Sequence, residues 1–156
     1  MRISLGSDHA AVDVRHAIAA SLTAQGHTVV ESGPEEGERT DYPSVAADVA
    51  RAVSTGAAER GVLVCGTGIG MSIAANKFPR VRAALVHDPY TAEMAAQHND
   101  ANILCLGGRL LATYYACHLV NIWLNTAFEE RHFPRLKQIA ALDSSLPLPT
   151  LEERSP

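Results

Sequence analysis

The run from Val62 to Lys77 gathers the residues of this chain best suited to chemistry: Cys65, then Gly66, Thr67, Gly68, Ile69 and Gly70. Val62, Leu63, Val64 and Cys65 favour a buried strand, the alternate glycines make a turn, and a helix-compatible stretch follows. Such a turn aims several backbone N–H groups at one point, and the helix dipole adds partial positive charge there. An anion or a developing oxyanion belongs at that point. Cys65 stands at its edge, where the same field favours a thiolate. One turn therefore offers a base or nucleophile beside an oxyanion hole. A strand-end cysteine taken alone is more often a small buried apolar residue, so the glycines carry the chemical reading. The spacing lacks the Lys-Ser/Thr of a P-loop and the G-x-G-x-x-G of dinucleotide sites, which argues against NTP or NAD.

Other chemistry-bearing residues need elements to position them, and strands and helices alternate along the chain. The pattern predicts strands over Arg2–Gly6, His27–Glu31, Val62–Cys65, Arg82–Val86 and Asn102–Leu106. Helices are expected over Ala10–Gln25, from Ser44 to Gly56, up to about Lys77, from Asp88-Pro89 to near Asn99, over Leu110–Phe128 and over Arg135–Leu142. Between the second strand and its helix lies a polar loop, SGPEEGERTDYP. Such βα units imply an α/β fold: an open five-stranded parallel sheet with helices on both faces, a three-layer αβα sandwich, and right-handed crossovers. The expected domain covers 1–143. The proline-rich tail 144–156, with little apolar periodicity, is expected to be mobile or draped over a neighbour.

Ligands of such sheets bind beyond the carboxyl ends of the strands. Asp8 and His9 follow the first strand, Cys65 and the glycines end the third, and Arg109 follows the fifth. His98 and Asn99 instead end a helix, on the opposite edge, unless a second subunit supplies them. That misfit points to a dimer with shared sites. Each residue also has a plainer role: Asp8 as a helix cap, His98 as a helix-end cation, Arg131 and Arg135 as surface charge. His16, His27, His87 and His118 lack partners in the pattern and read as structural. No HExxH or Cys-x-x-Cys occurs, so no metal ligand set is expected.

The 156 residues carry 47% hydrophobic but only 5% aromatic side chains, so the core must be built from Ala, Val, Ile and Leu. A chain of this length buries roughly 70% of its unfolded surface. The net charge of −4 gives no reason to expect nucleic acid or an anionic membrane as partner. No apolar run approaches a membrane span, and MRISLGSDH lacks the apolar core of a signal peptide. Three cysteines, an odd number, fit free thiols in a reducing cytoplasm.

Five blocks in register, GSDHA (6–10), RTDYP (39–43), CGTGIGMSIAANK (65–77), QHNDAN (97–102) and GGR (107–109), resemble the type B ribose-5-phosphate isomerase family, which includes galactose-6-phosphate and other phosphosugar isomerases. The resemblance runs from Arg2 to about Leu142. It implies a Rossmann-like three-layer αβα sandwich with a five-stranded parallel sheet, and an aldose–ketose isomerase of the pentose phosphate pathway working without a cofactor, as a homodimer or dimer of dimers whose sites combine two subunits. By the same resemblance, Cys65 is the base that shuttles a proton between C1 and C2. The N–H groups of Gly66, Thr67, Gly68, Ile69 and Gly70 hold the cis-enediolate. His98 opens the furanose ring, assisted by Asp8 and Thr67. His9, Arg109, Arg131 and Arg135 fit the phosphate, while Asn99 and Tyr42 fit sugar hydroxyls. A subgroup of the family has glutamate where this chain has Met71; Cys65 places this chain in the cysteine scheme. Pro134 argues against one helix presenting both Arg131 and Arg135. Ribose 5-phosphate is the expected substrate, with another phosphosugar as the nearest alternative. A non-catalytic sugar-phosphate sensor or a flavodoxin-like module fits the residues less well.

Overall fold

The computed structural model describes residues 1–142; the tail assigned to 144–156 lies outside the described residues. Five strands form one parallel sheet: β1 (Arg2–Ser7), β2 (Thr28–Ser32), β3 (Arg60–Cys65), β4 (Ala83–Leu85) and β5 (Ile103–Gly107), in the order β2-β1-β3-β5-β4. The helices are α1 (Val12–Ala24), α2 (Tyr42–Thr55), α3 (Ile69–Ala75), α4 (Pro89–Gln97), α5 (Thr113–Asn125) and α6 (Phe133–Ala141). A 3₁₀ turn, Glu130–His132, leads into α6.

Strand alternation sorts the core into two layers. Val62, Val64, Leu104 and Leu106 point to one face and pack with Ile18, Leu22, Leu119 and Trp123 of α1 and α5 and with the alanines of α4. Leu63, Cys65, Ile103 and Cys105 point to the other, against Val45, Val49 and Val53 of α2 and Met71 of α3. The three-layer α/β architecture expected from the alternation is present.

Element ends differ from expectation where local hydrogen bonds intervene. α1 begins at Val12 because Asp8 Oδ1 accepts from the Ala10 N–H at 2.9 Å, and that turn delays the helix. α3 stops at Ala75, short of Lys77. The Asn76 side chain there donates to the Ser72 and Ala83 carbonyls and accepts from the Ala83 N–H, tying the helix end to β4. α5 starts at Thr113 because the Leu110 and Leu111 N–H groups both turn back to the Gly107 carbonyl. α4 begins as expected: Asp88 accepts from the Thr91 N–H, and Thr91 answers with its hydroxyl to the Asp88 N–H.

Candidate active site

Cys65 ends β3 with its side chain on the α2/α3 face and almost buried. The N–H of Gly68 donates to its sulfur at 3.2 Å. Gly68 can do so because it adopts φ +79°, with the Leu106 backbone 2.9 Å from where a Cβ would stand. A side chain here would meet both backbone strain and a clash. β5 lies beside β3 with Gly107 opposite Cys65, and the Gly108 N–H donates to the Cys65 carbonyl at 2.8 Å. That pairing brings Arg109 over the turn: its Cδ, Nε and Cζ lie 3.5–3.6 Å from the Cβ position of Gly66.

β1 is the other neighbour of β3, so Asp8 and His9 arrive at the same edge. Asp8 is buried and held by its own turn, and its N–H continues the ladder to the Val64 carbonyl. His9 is exposed, and its Nδ1 lies 3.2 Å from the Thr40 carbonyl, which fixes that nitrogen as the donor and leaves Nε2 free to face a ligand. Tyr42, at the start of α2, lays its ring against Gly70; a Cβ there would fall 2.6 Å from Cε2. Asp8, His9, Tyr42, Cys65, Gly66–Gly70 and Arg109 therefore share one edge of the sheet.

His98, Asn99, Arg131 and Arg135 lie at the opposite edge. His98 follows α4, and Asp100, two residues on, reaches Arg60, the first residue of β3, at 3.8 Å. Cys65 is the last residue of β3, and five residue steps at roughly 3.3 Å each put about 16 Å between the two edges. The Glu129 N–H donates to the Gln97 carbonyl at 2.9 Å, which docks the following segment beside His98. Arg131 lies in the 3₁₀ turn and Arg135 in the first helical turns of α6, with Pro134 between them where proline is tolerated.

Between those arginines stands a residue that sequence reasoning passed over. His132 is almost fully buried, its ring centroid 4.2 Å from that of His98. Arg135 donates to its Nδ1 at 2.7 Å. Because arginine only donates, His132 carries its ring proton on Nε2, which has no hydrogen-bond partner and lies 3.7 Å from a Glu129 carboxylate oxygen. Burial pushes the His132 pKa down, and Arg131, His98 and Arg135 push the same way against the opposing pull of Glu129. Glu129 itself is held below the usual carboxylate range, chiefly by the hydrogen bond from Arg131. The only local signal was its place between two arginines.

Ligand atoms of His98, Glu129 and His132 lie within 4.8 Å of one another, close enough to suggest a metal cage. The proton placement argues otherwise: Nε2 of His132 must be bare to ligate a metal, and Arg131 already occupies Glu129. Exhaustive chelation is accordingly expected to leave turnover unchanged, measured before and after dialysis against a strong chelator. A loss reversed by added divalent metal would restore the cage reading.

A family model described as Ribose/Galactose Isomerase matches residues 3–139. The chain belongs to the ribose/galactose isomerase family. It is 42% identical over 143 residues to ribose-5-phosphate isomerase B of Escherichia coli, covering 91% of this chain and 96% of that protein. D-erythrulose-4-phosphate isomerase of Pectobacterium atrosepticum is 41% identical over 130 residues, covering 83% and 86%. Among solved structures, ribose-5-phosphate isomerase B of Clostridium thermocellum superimposes with a TM-score of 0.89 at 42% identity, covering 92% of this chain and 97% of that one. Membership makes this ribose/galactose isomerase family chain an aldose–ketose isomerase, the class implied by the five sequence blocks. No helix among the described residues is long and apolar enough to cross a membrane.

Proposed function

We propose that this chain interconverts ribose 5-phosphate and ribulose 5-phosphate through a cis-enediolate, in the cytoplasm and without a cofactor. The observation that carries the reading is Cys65 at the end of β3, its sulfur held by the Gly68 N–H of a turn whose Gly66 lies against Arg109. Starting from the aldose, the ring opens first, with His98 as the acid–base group and Asp8 and Thr67 assisting. The Cys65 thiolate then takes the proton from C2, leaving an enediolate whose oxygens accept from the N–H groups of the 66–70 turn. The same thiol returns the proton to C1 as the hydroxyl proton passes from O2 to O1, so C1 is reduced as C2 is oxidised, with no net redox change. Losing one well-placed oxyanion donor costs about 3–4 kcal/mol in comparable sites.

The two edges support a site assembled from two copies of the chain, in a homodimer or dimer of dimers. One copy would supply Asp8, His9, Tyr42, Cys65, the glycine turn and Arg109. The other would supply His98, Asn99, Arg131 and Arg135, with His132 beside them. Exposed apolar side chains favour such pairing: Phe133 and Ile139 of α6 and Ile69 and Ile73 of α3 are all about half exposed.

Phosphate binding does no chemistry here; it turns remote binding energy into orientation of C1 and C2 over Cys65. Arg131, which is exposed and paired with Glu129, and Arg135, which also supports buried His132, differ in what their loss would do. Arg135→Ala is expected to raise KM for the phosphosugar at least tenfold, with a stability loss no larger than that of leaving the buried His132 Nδ1 without its donor, about 1–3 kcal/mol. Steady-state kinetics beside a melting curve separate the two effects. A large stability loss with intact KM would return Arg135 to a structural role.

Turnover assays across four-, five- and six-carbon phosphosugars test the substrate assignment. The highest kcat/KM is expected for ribose 5-phosphate. A higher value for erythrulose 4-phosphate or for a hexose 6-phosphate would reassign the substrate, and absence of turnover on all of them would favour a non-catalytic sugar-phosphate-binding subunit.

A further inference from the structure

We infer that Arg82 is a positioning residue that sets His98 and Asn99 for ring opening, by clamping the backbone of the loop that carries them. Its guanidinium donates from Nε to the Asn99 carbonyl at 3.2 Å and to the Asp100 carbonyl at 2.9 Å. From Nη2 it reaches the same Asp100 carbonyl at 2.6 Å and the Asp100 carboxylate at 2.8 Å. Four donor–acceptor pairs from one side chain thus converge on the two residues that follow His98.

Asp100 itself explains why a clamp is needed. It adopts φ +42°, and among the described residues only Arg80 is another non-glycine with positive φ. Both lie in this corner of the molecule, and Asn102 ties down the 80–82 segment. Its Nδ2 donates to the Arg80 carbonyl at 2.8 Å, and its Oδ1 accepts from the Arg82 N–H at 2.8 Å. Arg60 adds a second cation 3.8 Å from the Asp100 carboxylate. Left-handed backbone at non-glycine residues persists only where the surroundings over-determine it, and such positions gather at functional sites. Releasing the loop would let Asp100 relax and turn His98 and Asn99 away from where α4 and the 129–132 segment hold them.

The inference rests on the reading of His98 as the ring-opening group, and one pair of assays separates the two. Ribulose 5-phosphate has its C5 hydroxyl blocked by phosphate and is open-chain, so deuterium exchange at its C1 needs no ring opening. In that exchange the C1 proton leaves to the Cys65 sulfur, the thiol equilibrates with D2O, and deuterium returns to C1. In Arg82→Met, ribose 5-phosphate turnover is expected to fall roughly 10–100-fold, as for an ångström-scale misplacement, while exchange at saturating ketose stays within about threefold of wild type. Arg82→Lys, which keeps the charge but presents a point donor, is expected to fall between. Asp100→Asn, which tolerates the left-handed backbone and keeps the carbonyl acceptor, should lose less than Arg82→Met. Equal losses in both assays, or unchanged aldose turnover, would overturn the clamp; if Arg82→Met does not fold, the same comparison on Arg82→Lys decides. His98→Ala is the control. If it fails to depress aldose turnover selectively while Arg82→Met does, the role given to His98 is wrong and the clamp serves another group of the loop.

Discussion

Cys65→Ala is expected to abolish interconversion while phosphosugar affinity stays within a few-fold of wild type, since general-base catalysis is worth roughly 10²–10⁴-fold. The change removes the sulfur and with it the hydrogen bond from the Gly68 N–H, but the turn has other supports. Gly68 keeps its backbone position through the packing against Leu106, and Arg109 remains bonded through its N–H to the Gly66 carbonyl. Binding by the phosphate contacts and the N–H turn should therefore survive, and only proton transfer should fail. Turnover of ribose 5-phosphate beside calorimetric affinity for a non-reactive phosphosugar analogue reads the two quantities. A fall of less than tenfold in turnover would assign the base elsewhere. Cys105, the nearest other thiol, is a poor substitute: it is fully buried, and burial pushes its pKa far up, with Cys65 adding in the same direction. Transplanting the glutamate of the alternative family scheme is less informative here than its neighbouring position suggests. Met71 is fully buried in the α2/α3 layer, so Met71→Glu would place a carboxylate in that core as well as near the reacting carbons.

The second large effect is a recovery of activity from two dead proteins. Cys65→Ala damages one edge of the sheet and His98→Ala the other, about 16 Å away by strand length. If each site takes one edge from each copy, a hybrid of the two variants has one site with both defects and one site with neither. Mixing the variants under conditions of subunit exchange is then expected to restore activity, up to about a quarter of wild type when hybrids form statistically and all sites act independently. Exchange is followed separately with isotope-labelled subunits by native mass spectrometry. Full exchange without recovered turnover would place Cys65 and His98 in separate functions and end the shared-site model. The argument needs no assumption about which phosphosugar is used, so it tests the assembly independently of the substrate.

Much of this was legible in the residues because the relevant physics is local. The strand Val62–Cys65 and its glycine turn announce themselves through β-forming residues followed by residues able to take φ > 0. Asp88-Pro89 announces α4 because a capping carboxylate and a first-turn proline act within one helical turn. Even the two-edge problem was visible, since a residue at a helix C-terminus in a βα unit must lie away from the carboxyl end of its strand. Sequence similarity across nearly the whole chain then supplies the family and the reaction class. Tertiary structure decided the rest, because it depends on which distant elements touch. The order β2-β1-β3-β5-β4 puts Arg109 beside Gly66 and Asp8 beside Cys65, and no local pattern encodes that order. Gly70 faces Tyr42 only because α2 starts two residues earlier than its polar approach suggested. His132 looks like one more surface charge between two arginines, until α4 and the segment docked on Gln97 bury it against His98. Arg82 looks like an ordinary strand-start cation, until the chain turns through Asp100 and gives its guanidinium two carbonyls and a carboxylate to hold. Periodicity sets which face of an element is apolar; only packing sets what that face, and the polar groups at its ends, will meet.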